Sequence, residues 1–223
     1  MGTLFIVATP IGNLEDLTFR ALRILKEVSF LLCEDTRVTR KLLDHYGVSV
    51  PVLSYHQHTN QKTKEYVLEL LSQGKNLALV TDAGTPGIAD PGNELIAFLA
   101  DAAPALRIIP IPGPSALSAI ASIAGVAMDR FLFLGYPPHK KGRKKFFEEA
   151  MQSLRPVILY ESPYRIVKTL SELQAIDHEL QTVVSRELTK KFETTYRGTI
   201  DQVLEMVQKD KVKGEFVVVI KKQ

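Results

Sequence analysis

The runs LFIVA (4–8), SFLLCE (29–34), NLALVT (76–81) and RIIPI (107–111) are apolar almost without interruption. A strand with one face in water alternates apolar and polar residues, whereas a strand covered on both faces does not. Parallel strands also need long crossover connections, and the intervening segments supply them. Leu17, Ala21, Leu22, Ile24, Leu25 and Val28 recur at spacings of three and four, which predicts a helix. Further helices are expected over about 36–45, over 61–72 with Gly74 as its C-terminal cap, and over 93–102. A proline-containing loop is expected near Pro51. Repeated strand–helix–strand order argues for a parallel α/β sheet.

The second half is of a different kind. Strands are expected in 131–136, 156–162, 182–188 and 215–220, and helices in 143–154, 163–174 and 199–208. Residues 192–200 alternate and read as an extra antiparallel strand. The expected fold class is therefore α/β with two α/β domains: a parallel one over 1–113 and a mixed one over 114–223. The Pro-Gly-Pro linker at 112–114 divides them. There is no internal repeat.

Charge follows the same division. Of 28 basic and 25 acidic residues, 18 and 13 lie beyond Gly113, a net of +5 against −2 before it. Such asymmetry suggests that the second half meets an anionic partner. Cys33 is the sole cysteine, which excludes a disulfide framework or a zinc–cysteine site within one chain. The N-terminus lacks the basic opening of a secretory signal. The longest small-apolar stretch, 115–128, is too short and serine-rich to span a bilayer. A soluble cytoplasmic protein with no membrane partner is expected.

Ligands of open α/β sheets bind outside the carboxyl ends of the strands. Three loops there carry proline and glycine together: ATPIGN (8–13), DAGTPGIADPG (82–92) and PGPSA (112–116). Glycine permits close backbone approach and proline stiffens, so the loops suit a flat polar small molecule. Neither G-x-G-x-x-G after a strand nor G-x-x-x-x-G-K-[ST] occurs. His45, His56, His58, His139 and His178 show no metal-ligand spacing, and no metal is expected.

Charged clusters supply further candidates. In CEDTRVTR (33–40), Glu34 and Asp35 end a strand and Arg37 follows. Asp35 or Thr36 can cap the next helix while still facing the ligand crevice. In YPPHKKGRKK (136–145), Lys140, Lys141, Arg143, Lys144 and Lys145 form a basic run, either a solvated face or a phosphate contact. YESPYR (160–165) and SRELTKKFE (185–193) place Glu161, Arg165, Arg186, Glu187, Lys190 and Lys191 near strand ends. There they form ion pairs between neighbours or a polar rim for a charged substrate.

LFIVATPIGNLEDLT, CEDTRVTRKLL, VTDAGTPGIADPG, IPGPSA, FLGYPP, YESPYR, SRELTKKFE and GEFVVVI, in that order, resemble the motifs of the ribosomal RNA small subunit methyltransferase I family. That family is of the tetrapyrrole methylase (class III S-adenosylmethionine methyltransferase) type. The resemblance implies a cofactor cleft between two α/β domains, S-adenosyl-L-methionine as cofactor and homodimers. The implied substrate is a cytidine ribose 2′-hydroxyl of 16S rRNA, free or in the 30S subunit. It places Gly84, Thr85, Ile88 and Ala89 on one wall of the cofactor site. Pro10 and Ile11 lie beside them, Ser115 and Ala116 close the site, and Tyr160 and Phe216 reach it from the second domain. Tetrapyrrole-modifying relatives typically read Gly-Asp-Pro where Thr85 stands, which favours the RNA branch. Many members carry a further helical C-terminal domain; the chain stops at Gln223, so that domain is expected to be absent.

A ribose hydroxyl must lose its proton to become a good nucleophile, so a general base is expected. The candidates are Glu34, Asp35, Glu161 and, if its pKa is depressed, Lys190. Arg37, Arg165 and Arg186 are candidates for RNA phosphates, with Lys140, Lys141, Arg143, Lys144 and Lys145 as an outer rim. Two other readings stand beside this one: a tetrapyrrole-type small-molecule methyltransferase, and a non-catalytic RNA-binding module.

Overall fold

The computed structural model describes residues 1–57 and 59–222, so His58 lies outside the described residues. The chain divides into two compact units, Met1–Ser115 and Ala116–Gln223, just past the boundary expected at 113/114.

In the first unit, β1 (Thr3–Val7), β2 (Phe30–Cys33), β3 (Val52–Ser54), β4 (Leu77–Leu79) and β5 (Arg107–Ile111) form a wholly parallel sheet. Its order is β3-β2-β4-β1-β5. Packing explains the unbroken apolar runs. Leu77 and Leu79 pack with Val67, Leu70, Leu95 and Leu99 of helices α3 (Gln61–Ser72) and α4 (Asn93–Ala102). Ala78 and Val80 turn the other way, toward Ala21, Leu25 and Leu43 of α1 (Phe19–Glu27) and α2 (Thr36–His45). Each leucine so buried contributes about 1.5–3 kcal/mol.

Thr18, Asp35 and Asn60 cap α1, α2 and α3 by accepting from Ala21 N (3.0 Å), Arg37 N (2.8 Å) and Thr63 N (3.0 Å). Strand β3 corrects the expectation of a plain loop near Pro51. It is an edge strand, and the Pro51 carbonyl accepts from Leu31 N at 2.9 Å, a role that needs no proline N–H.

The second unit opens with α5 (Ala116–Ile123) and holds β6 (Leu132–Gly135), α6 (Arg143–Gln152), β7 (Val157–Glu161), α7 (Ile166–Gln174), β8 (Gln181–Arg186), β9 (Thr194–Thr199), α8 (Ile200–Lys209) and β10 (Phe216–Lys221). The sheet order is β6-β7-β10-β8-β9. Only β6 and β7 pair in parallel; the other pairs are antiparallel. The alternating segment is β9, an edge strand antiparallel to β8. Phe147, Leu159, Leu170, Val184, Val203 and Val218 share one apolar core.

Candidate functional site

The three Pro-Gly loops of the first unit are physically joined. Thr9 and Gly84 exchange both backbone hydrogen bonds, at 2.9 and 3.0 Å. The Thr9 hydroxyl donates to the Thr81 carbonyl at 3.1 Å, and the Thr85 hydroxyl to the Pro114 carbonyl at 3.1 Å. Gly84 has φ +82°, and a Cβ there would stand 3.3 Å from Ile11 Cγ2 and 3.8 Å from the Pro114 carbonyl oxygen. Ile11, Gly84, Thr85 and Pro114 therefore form one continuous floor, with Pro10 and Ser115 as their immediate chain neighbours. Ile88 is half-buried, and Ala89 is exposed with φ 59°. The floor is built of backbone tied to itself, with the Ile11 side chain and the Pro114 carbonyl beside it. That set fits a neutral heterocycle with a short polar chain.

Next to it, four carboxylates gather where β2 and β4 end. Asp35 is held by Arg37 in a two-oxygen grip (2.6 and 3.0 Å), and this hydrogen bonding keeps its carboxyl at a pKa of about 2. Such a group is a poor base. Asp82 accepts the Asp35 backbone N–H at 3.0 Å. Glu34 and Asp90 line a cavity of about 450 Å³ with Tyr55, Gln57 and Asn93. Burial, then Asp82, then Asp35 push the Glu34 pKa up, while His56 opposes them. Burial, then Glu34 and Asp82, push Asp90 from 3.8 to about 7. Because the folded pKa is raised, the stabilisation due to this proton is full below 3.8 and is lost as pH rises through about 7.

In the second unit the candidates are mostly internal. Glu161 is 1% exposed. It accepts from Ser162 N (2.7 Å) and the Thr169 hydroxyl (2.6 Å) and pairs with Arg165 at 2.8 Å. Its lone pairs are engaged and water does not reach it, so it is not available as a base. Arg143 corrects the outer-rim expectation, being 5% exposed. Its guanidinium donates to Glu172 (2.6 Å), Thr169 (2.6 Å) and the Pro138 carbonyl (3.1 Å) and stacks over Phe147.

Arg165 donates to the Pro137 carbonyl at 2.9 Å. Arg186, 9% exposed, reaches the Lys211 carbonyl and pairs with Asp210 at 3.3 Å. Neither guanidinium is free to meet phosphate. Burial alone would lower the Lys190 pKa, but hydrogen bonds to Glu187 and Glu215 outweigh it and the pKa is raised. The condition for Lys190 as a base therefore fails. Phe216 is a core residue, 2% exposed. The Tyr160 ring meets Phe133 and Tyr136 edge-on, with centroids 4.9 and 5.5 Å apart. Lys140, Lys141, Lys144 and Lys145 are exposed, and so is Arg37.

Asp82 and Asp90 were missed from sequence. The available signal was their place in the loop after β4, which also carries Gly84 and Thr85. Among the described residues, no group of three or more His, Cys, Asp or Glu could hold a metal. Among them, too, no helix is long and apolar enough to cross a membrane.

The profile of the tetrapyrrole (corrin/porphyrin) methylases matches residues 3–204. The fold is shared with a cobalt precorrin-4 methyltransferase (TM-score 0.71, 17% identity, 98% of this chain and 94% of that one). It is also shared with a diphthine synthase (TM-score 0.74, 15% identity, 100% and 91%). These define the class as a methyltransferase of the tetrapyrrole methylase type, which is generally dependent on S-adenosylmethionine. Over 99% of its length the chain is 44% identical to the ribosomal RNA small subunit methyltransferase I of Synechocystis sp., covering 79% of that protein. It is 41% identical to the Bacillus subtilis protein of the same name, covering 75%. The chain belongs to the ribosomal RNA small subunit methyltransferase I family.

Proposed function

We propose that this enzyme transfers a methyl group from S-adenosylmethionine to the ribose 2′-hydroxyl of a cytidine in 16S rRNA, in the cytoplasm. The observation that carries the reading is the fused floor of loops 8–13, 82–92 and 112–116, locked by the reciprocal Thr9–Gly84 pair. The family relationship supports the RNA substrate, as does threonine rather than aspartate at position 85. Pro10, Ile11, Gly84, Thr85, Ile88 and Ala89 hold the cofactor, with Ser115 beside them. The cofactor supplies an activated methyl on a sulfonium. Rigid loops hold the reactants in register, an effect that supplies roughly 7–11 kcal/mol of the barrier reduction.

Arg37, Lys140, Lys141, Lys144 and Lys145 are the exposed cations that meet RNA phosphates. For single-stranded RNA the salt slope is about −0.7 per phosphate contact. Replacing Lys140, Lys141, Lys144 and Lys145 together by alanine should flatten the slope of log K against log salt by about 2–3. An unchanged slope removes this loop from the RNA contact. The reaction itself is tested by transfer of labelled methyl from S-adenosylmethionine to 30S subunits lacking ribose methylation, with nuclease mapping. Label in 2′-O-methylcytidine is expected. Cofactor binding without label in RNA would overturn the substrate.

A further inference from the structure

We propose that Asp90 is the general base that takes the proton from the substrate hydroxyl, in the cavity that it lines together with Glu34. The inference rests on the methyl-transfer reading above and adds to it the group that activates the nucleophile.

Elimination among the carboxylates is the first argument. Asp35 is committed to Arg37, and Glu161 is sealed in the core of the second unit. Asp82 accepts the Asp35 amide and is not among the residues that line the cavity. Glu34 and Asp90 remain, and both line the same cavity of about 450 Å³. Helix α4 begins at Asn93 with Gly92 as its N-cap and no side-chain cap, and Asp90 forms no ion pair among the described residues.

The second argument is placement. Asp90 follows Ile88 and Ala89 in the loop that supplies the cofactor floor. Asn93 Nδ2 donates to the Gly87 carbonyl at 2.9 Å and closes this loop upon itself. At Gly92 (φ +139°) a Cβ would stand 3.0 Å from Leu79 Cδ2, so the loop is pressed onto the sheet.

A buried polar atom supplies the third. Thr81 is 2% exposed, and its hydroxyl is close enough to influence Asp90. Its hydrogen bonding acts on the Asp90 carboxylate and opposes the upward push of burial, which ties this cavity-lining carboxylate to the end of β4.

The charged and titratable groups facing Asp90 are Glu34 from the end of β2, Asp82 from the end of β4, and Tyr55 and Glu94 around the cavity. Two carboxylates so near disfavour the ionised form of Asp90 and so raise its affinity for a proton. A base with its affinity near neutral pH is suited to general-base work. In the step, the hydroxyl oxygen forms a bond to the methyl carbon while the carbon–sulfur bond breaks. The electron pair stays on sulfur, leaving a neutral thioether. The hydroxyl proton passes to an Asp90 carboxylate oxygen and then to solvent.

The experiment compares wild type, Asp90→Asn and Glu34→Gln on 30S subunits, with cofactor affinity by calorimetry. Carbon-13 NMR titration of the aspartates in the free protein runs alongside. Asp90→Asn is expected to lose about 10²–10⁴ in kcat with cofactor affinity unchanged. The rising limb of the wild-type pH profile should match an NMR midpoint near 7 that is absent from Asp90→Asn. Glu34→Gln should move both the limb and the midpoint to lower pH. Less than a tenfold loss in Asp90→Asn, or an aspartate titrating only in the ordinary range, overturns the base while the reaction stands. Wild type that transfers no methyl to RNA overturns the proposed reaction, and the base falls with it.

Discussion

Replacing Glu161 by alanine is expected to destabilise the second unit by about 3–5 kcal/mol, the cost of breaking a buried ion pair from one side. Glu161 ends β7, and its side chain is fully enclosed. Arg165 lies 2.8 Å from one oxygen and Arg143 3.9 Å from the other. Removal leaves Arg165 without a carboxylate partner among the described residues, while Arg143 keeps Glu172. The loss also travels to the loop before α6. Arg165 and Arg143 donate to the carbonyls of Pro137 and Pro138. Prolines have no N–H, so these two residues are anchored through their carbonyls, and here the donors are the two arginine side chains. A fall in urea midpoint at unchanged m-value checks the prediction. A double replacement, Glu161→Met with Arg165→Met, should recover part of the loss, because it leaves fewer unpaired charges inside. A cost below about 1 kcal/mol, that of an exposed pair, would remove Glu161 from its place at the centre of the network.

Gly84→Val is expected to lower affinity for S-adenosylmethionine at least tenfold, about 1.4 kcal/mol. The backbone at Gly84 is left-handed, which alone costs an L-residue roughly 1–2 kcal/mol. The added side chain also meets Ile11 and approaches the Pro114 carbonyl, so the strain falls on all three loops at once. Gly47→Ala separates strain from site. Its φ is +60°, and no atom lies within 4 Å of the added Cβ. That variant should lose about 1 kcal/mol of stability and no cofactor affinity. Calorimetric titration of both variants decides the matter. Equal affinity in Gly84→Val and wild type would separate the floor from cofactor binding.

Much of the frame was legible along the chain. Unbroken apolar runs announced a sheet covered on both faces, and Leu77/Leu79 against Ala78/Val80 show how that covering is made. Alternation in 192–200 announced the edge strand β9. Proline and glycine after three strands announced loops of special shape.

The charged residues were harder. Lys140 to Lys145 look uniform as a string of letters. Yet Arg143, Phe147, Ala150 and Met151 form the buried stripe of α6, and only helical phase distinguishes Arg143 from its neighbours. That phase is present in the sequence, hidden within a run of like charges. Strand β3 was masked by Pro51, which is tolerated only because it lies at a sheet edge.

The sequence by itself determined the α/β class, the family and the place of the three loops after their strands. Each of these rests on local periodicity, turn chemistry or motif order, which neighbouring residues in the chain carry. Only the tertiary structure decided which charges are groups for chemistry and which are internal ties. Glu34, Asp35, Asp82, Asp90 and Glu161 have similar side chains, and their roles separate only when partners and burial are known. Asp35 has Arg37, Glu161 has Arg165 and no water, and Asp90 has two like charges and a cavity. Electrostatic energy depends on distance and on local polarizability, and residues far apart in sequence set both.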